Sequence, residues 1–168
     1  GFDYKSLKPW DAKIEFVNYF NSIISKYNKI YLIANSIGAY FSLISLAYMP
    51  IEKAMLISPI VDMERVILNM MKCESITEDE LILKKEIETS FGESLSWQYL
   101  SYVRKNTIHW DIPTNILFAD NDNMTSVDTM TNFANKINAN LTTMKDGEHW
   151  FHTEEQMIFL NKWFKENI

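Results

Sequence analysis

The chain has a single cysteine, Cys73, in 168 residues, so no intrachain disulfide can staple it. That usage fits a reducing compartment, and a cytoplasmic location is expected. No run is long enough to span a membrane, because Lys, Asn or Glu interrupts every apolar stretch. No basic cluster stands out. A formal net charge of −6 and a pI near 5.1 argue against nucleic acid or an anionic membrane surface as the main partner. No secretory leader is visible, and the chain begins with Gly, so a preceding segment is expected. Glycine and proline are scarce, four of each. What is plentiful is apolar: 47% hydrophobic residues, with ten Phe, eight Tyr and five Trp. This is the composition of one domain with one sizeable core, spanning 1–168.

The four prolines punctuate the pattern. Pro9 precedes a helix over Asp11–Tyr27, whose apolar positions Phe16, Phe20, Ile23, Ile24 and Tyr27 share one face. Lys29–Ala34 is a short apolar run that predicts a strand covered on both faces. Gly38–Tyr48 predicts a helix closed by Pro50, and Ala54–Ser58 a second strand ended by Pro59. Pro113 introduces a third strand, Thr114–Ala119, followed by a helix over Ser126–Ile137. A weaker strand over Asn140–Lys145 and an amphipathic helix over Thr153–Asn167 complete the chain. Strands alternating with helices at these lengths predict right-handed crossovers and a parallel sheet. Residues 60–110 break the rhythm with helical patterns over Met63–Met71, Glu78–Thr89 and Leu95–Lys105. They are too long for a simple crossover and are expected to form a helical lid or cap.

Two of the four glycines flank chemistry-bearing residues. Ala34-Asn35-Ser36-Ile37-Gly38 joins the first predicted strand to a helix. A serine on such a turn, with small residues two before and two after, is lifted above the sheet on a strained backbone. Larger flanking residues are expected to collide with neighbouring backbone. Gly147 lies two residues before His149. Acidic candidates, Asp120 and Asp122, follow the third strand. In a parallel sheet all these positions fall at the carboxyl ends of strands, where loops gather.

The pentapeptide around Ser36, the turn Ala119-Asp-Asn-Asp-Asn-Met-Thr125 and the turn Asp146-Gly-Glu-His-Trp-Phe151 come in the order Ser, Asp, His. From about Asp11 to its end the chain therefore resembles the carboxyl-terminal part of an α/β-hydrolase. The resemblance implies a three-layer sandwich in which the first recognisable strand has lost its usual neighbours. That strand would be an apolar edge needing cover from a preceding segment or a second copy. It also implies a serine hydrolase, of carboxylesterase or acylglycerol-lipase type, acting on a small-molecule ester, thioester or related acyl bond. Ser36 would be the nucleophile, His149 the base and acid, and Ile37 N–H one oxyanion donor. The family's spacing favours Asp122 as the orienting acid over Asp120. The second oxyanion donor usually comes from a segment absent here. Asn35 and Trp150 are expected at the substrate. Met63, Ile67, Met70, Met71, Trp97 and Tyr102 are read either as an apolar acyl pocket or as ordinary packing. No cofactor is expected, and His152 and Asp146 beside His149 are too few for a metal. His109 and Cys73 are read as structural, and His152 as a support for the last helix. The alternatives are a non-catalytic binding module on the same scaffold and an acyltransferase with the same three residues.

Overall fold

A computed structural model describes residues 7–168. Four parallel strands form the main sheet: β1 (Tyr31–Asn35), β2 (Lys53–Ile57), β5 (Thr114–Ala119) and β6 (Asn140–Met144), in the order β1-β2-β5-β6. α1 (Pro9–Ile23) runs into a 3-10 turn (Ile24–Lys26), α2 (Ser36–Ser45) links β1 to β2, and α6 (Val127–Lys136) links β5 to β6. The chain ends in α7 (Glu154–Asn167). Ser126 caps α6, and Thr153 and Gln156 form a capping box on α7, so side chains satisfy first-turn N–H groups of both helices.

Alternation along the strands sorts side chains onto two faces. Leu32, Ala34, Leu56, Ile116 and Phe118 meet Ala39 and Leu43 of α2 and Met130 and Phe133 of α6. Met55, Leu117, Ala119 and Met144 meet Phe151 and Trp163 on the other face. The result is an α/β/α sandwich. β5 is buried at every position because it lies inside the sheet with helices on both sides.

β1 departs from the expected burial on both faces. Its order of burial alternates, with Tyr31 and Ile33 45% and 52% exposed. The reason is position: among the described residues β1 is an edge strand, and α7 covers the sheet only from β2 onward. The edge expected from the sequence is therefore present.

Residues 60–110 differ from an all-helical insertion. α3 (Met63–Cys73), α4 (Glu78–Lys84) and α5 (Trp97–Lys105) are helical, but α4 stops before Thr89. Lys85, at φ 68, turns the chain out of the helix. Strand β3 (Glu86–Glu88) then pairs antiparallel with β4 (Ser94–Ser96), placing Ile87 opposite Leu95. Gly92, at φ 81, supplies the left-handed residue of the hairpin turn. Arg104 ties the helices together, with Nε 2.7 Å from Glu64 and two bonds to Glu78 at 2.7 and 2.8 Å.

Cys73 lies exposed at the end of α3 rather than packed inside. Among the described residues no helix is long and apolar enough to cross a membrane.

Candidate active site

Ser36 is the first residue of α2, immediately after β1. Its φ of 48 puts an L-residue in the left-handed region, at a cost of roughly 1–3 kcal/mol. The turn is tied to the loop that follows β2: the Ile60 N–H donates to Ser36 O at 3.2 Å. Strain and anchoring together aim the hydroxyl at His149, and Ser36 Oγ lies 2.8 Å from His149 Nε2.

His149 sits on a turn between β6 and α7 that is strained at both ends, with Asp146 at φ 56 and Phe151 at φ 43. A bulky residue in that region needs strong support. Phe151 has it, being buried against Met55, Leu117, Ala119, Met144 and Trp163. Gly147 completes the fit. A Cβ there would stand 3.2 Å from the Ala119 and Met144 side chains, and the Gly147 carbonyl accepts the Asn121 N–H at 3.0 Å. The scarce glycine before His149 thus lets the histidine turn lie directly on the end of β5.

The Asp122 carboxylate completes the line. Its Oδ2 is 2.7 Å from His149 Nδ1, while Oδ1 accepts the N–H groups of Met124 and Thr125 at 2.7 and 3.1 Å. The His149 and Asp122 side chains are 2% and 0% exposed. A carboxylate buried that completely is stable only when its lone pairs are occupied, and these three donors occupy them. Asp120 is exposed, and its N–H donates to Met144 O at 3.2 Å. The spacing-based choice between the two aspartates therefore agrees with the geometry: Asp122 faces His149 and Asp120 shapes the turn.

A cavity of about 390 Å³ opens beside Ser36 and Ile37. Its walls are apolar residues of the insertion, among them Met63, Val66, Ile67, Met70 and Leu95. Trp150, 68% exposed, also lines it and meets the His149 ring edge-on with centroids 5.1 Å apart. Ile37 lies in the first turn of α2, where backbone N–H groups have no partner within the helix. That end of the helix also favours developing negative charge. Burial pushes the Tyr99 phenol, another lining group, well above its usual range, so it stays neutral.

Other expected residues fall elsewhere. Asn35 is exposed at the end of β1 and lines a separate groove of about 430 Å³ between α1 and β1. Gly38 lines that same groove, and a Cβ there would meet nothing within 4 Å. An added Cβ at this position therefore faces the open groove rather than a neighbouring side chain. Met71 is buried in the core. Trp97 and Tyr102 are not among the residues lining the cavity. His109 is exposed and bonds to Thr107. The His152 ring is exposed, 3.4 Å from Glu148, while its backbone N–H donates to Gln156. Among the described residues no three His, Cys, Asp or Glu side chains converge as metal ligands.

The sequence missed Val66, Leu95, Glu93, Phe91 and Met124 as cavity residues. The period-two pattern Glu86-Ile87-Glu88 and Ser94-Leu95-Ser96 was the available signal, since it marks a hairpin whose inward residue is Leu95.

Solved structures of like shape cover nearly the whole chain. Est1E from Butyrivibrio proteoclasticus superposes with a TM-score of 0.73 at 15% identity, over 95% of this chain and 70% of its own. Mouse alpha/beta hydrolase domain-containing protein 10 gives 0.73 at 10% identity, over 98% and 70%. The Pyrococcus furiosus esterase Pf2001 gives 0.62 at 16% identity, over 99% and 62%. No family model matches the sequence, and no curated protein matches it. The chain therefore has the α/β-hydrolase fold, established by shape.

Proposed function

We propose that the protein is a serine hydrolase that cleaves an ester, thioester or related acyl bond. One observation carries this reading: the buried, unbroken line from Ser36 Oγ to His149 to Asp122, at 2.8 and 2.7 Å. A serine hydroxyl is a weak nucleophile, and an imidazole in hydrogen-bond contact removes its proton as it attacks. Asp122 holds Nδ1–H, so Nε2 is left as the acceptor facing Ser36. It also stabilises the imidazolium formed on attack. The proton then passes from Nε2 to the leaving alcohol or thiol, and the acyl group remains on Ser36 Oγ. Water, deprotonated by the same nitrogen, releases it. The Ile37 N–H faces the carbonyl oxygen as its charge develops. The solved esterases of like fold support the acyl-transfer chemistry, and Est1E has been solved with ferulic acid bound.

Labelling with a fluorophosphonate, read by peptide mapping, tests this. Adduct on Ser36, lost in Ser36→Ala with the fold unchanged by circular dichroism, is the expected result. A folded chain that takes no label would favour a binding module on the same scaffold.

A further inference from the structure

The insertion and the α/β core each supply walls of the cavity beside Ser36. Met63, Val66 and Met70 line it from α3, and Met124, two residues after Asp122, lines it from the core. Arg65 lies on α3 between Met63 and Val66, and its side chain crosses from one to the other. Its Nη1 donates to Thr129 Oγ1 at 3.0 Å and to Ser126 Oγ at 3.4 Å. Those hydroxyls are 2.8 Å apart in the first turn of α6, where Ser126 Oγ also accepts the Thr129 N–H at 3.2 Å. Ser126 closes the loop that begins at Asp122, and the Met124 and Thr125 N–H groups within it donate to the Asp122 carboxylate. The carboxylate thus holds one end of this loop and the guanidinium the other. Among the described residues, every other side-chain hydrogen bond and ion pair of α3, α4 and α5 stays inside the insertion. Arg65 is exposed, and the folding of α3 rests elsewhere, on buried Met63, Ile67 and Met71 and on the Glu64–Arg104 contact.

We propose that Arg65 is a positioning residue that sets the spacing between α3 and the loop carrying Asp122. A molecule resting against α3 meets Ser36 Oγ in a reactive geometry only while that spacing is kept. The effect on the reaction rests on the hydrolase reading, but the spacing itself does not. The start of α6 is the positive end of its dipole and gives a cation no help, so the contact depends on the two hydroxyls as acceptors. A neutral side chain of the same size that lacks the acceptor should therefore release α3 as fully as removal of the guanidinium.

A distance measurement tests the spacing without any turnover. Cys73, the chain's one cysteine, is exposed at the end of α3 and takes a nitroxide directly. Asn132→Cys, at an exposed position of α6, takes the second. Pulsed electron paramagnetic resonance should give one narrow distance distribution. Arg65→Ala and Thr129→Val should each broaden it or shift it outward, with circular dichroism unchanged. The double variant should do no more than either alone, because the two side chains act through one contact. A distribution unmoved by Arg65→Ala, or shifts that add in the double variant, would overturn the spacing role. Fluorophosphonate labelling of Ser36 then reads the consequence. Its rate should fall about tenfold in both single variants, since a small misplacement far from the chemistry is costly. Labelling at the parent rate despite a shifted distance would overturn the positioning role. A distance that shifts as expected in a chain that takes no label, even unsubstituted, keeps the spacing and removes the hydrolase reading.

Discussion

Asp122 and Asp120 are two residues apart, and only one faces the histidine. Asp122 accepts three hydrogen bonds inside the protein, while Asp120 is exposed. Asp122→Asn replaces one acceptor oxygen by an NH₂ group and removes the charge that steadies the imidazolium. It should lower kcat by about 10³–10⁴, whereas Asp120→Asn should stay within a few-fold. Equal losses from the two, in a steady-state ester assay, would contradict the assignment. Gly147 makes a second residue-scale case. A methyl group there meets Ala119 and Met144 at 3.2 Å, and neither a strand alanine nor a buried Met Cβ can retreat far. Gly147→Ala should therefore cost about 1–3 kcal/mol in urea unfolding and lower activity through the displaced His149 turn. The sequence made Ser36, Asp122 and His149 legible because each belongs to a short local pattern. Gly38 shows the limit of that approach. Its expected crowding was inferred from the pattern alone, and crowding depends on what lies across the turn.

The insertion behaves differently at the scale of elements. Its helices were legible from apolar periodicity, but its hairpin was not. Three-residue strands are too short to distinguish from helix ends, and the Lys85 turn carries neither Gly nor Pro. The residues that wall the cavity come largely from this part, so the Ser36–His149–Asp122 line was readable and the shape of the cavity beside it was not. Packing of the hairpin rests on Leu95, which is 2% exposed. Leu95→Ala should destabilise the protein by about 2–5 kcal/mol, measured by urea unfolding. Arg104 provides the polar counterpart. It holds the Glu78 carboxyl below the usual carboxylate range, chiefly through their hydrogen bonds. A folded-state pKa that is depressed contributes stability above the unfolded value, and that contribution disappears as pH falls through the folded value. Protection factors of α3–α5 amides, taken relative to the intrinsic exchange rate at each pH, should therefore fall on acidification below about pH 4, and Arg104→Ala should show that lower protection already at neutral pH.

For the whole molecule, the edge of the sheet left open among the described residues has the largest consequence. The Ile30 and Ser36 carbonyls accept from Glu52 and Ile60 on the β2 side. Alternation then turns the N–H and C=O groups of Tyr31, Ile33 and Asn35 outward. The exposed Tyr31 and Ile33 side chains add an apolar face, and the groove along α1 widens it. An apolar strand with a row of unpaired backbone groups is a template for another strand. Water satisfies those groups in a monomer, but it does not cover the apolar side chains. The formal charge of −6 opposes association only weakly at physiological salt, where screening acts over about 8 Å. The 168-residue chain should therefore self-associate as its concentration rises, seen as growing scattering mass. Ile33→Lys places a solvated charge on the edge without touching Ser36, His149 or Asp122, and should suppress that association. It should leave fluorophosphonate labelling of Ser36 unchanged. A chain that stays monomeric at high concentration, with Ile33→Lys making no difference, would show that this edge is protected in solution by an arrangement other than strand pairing.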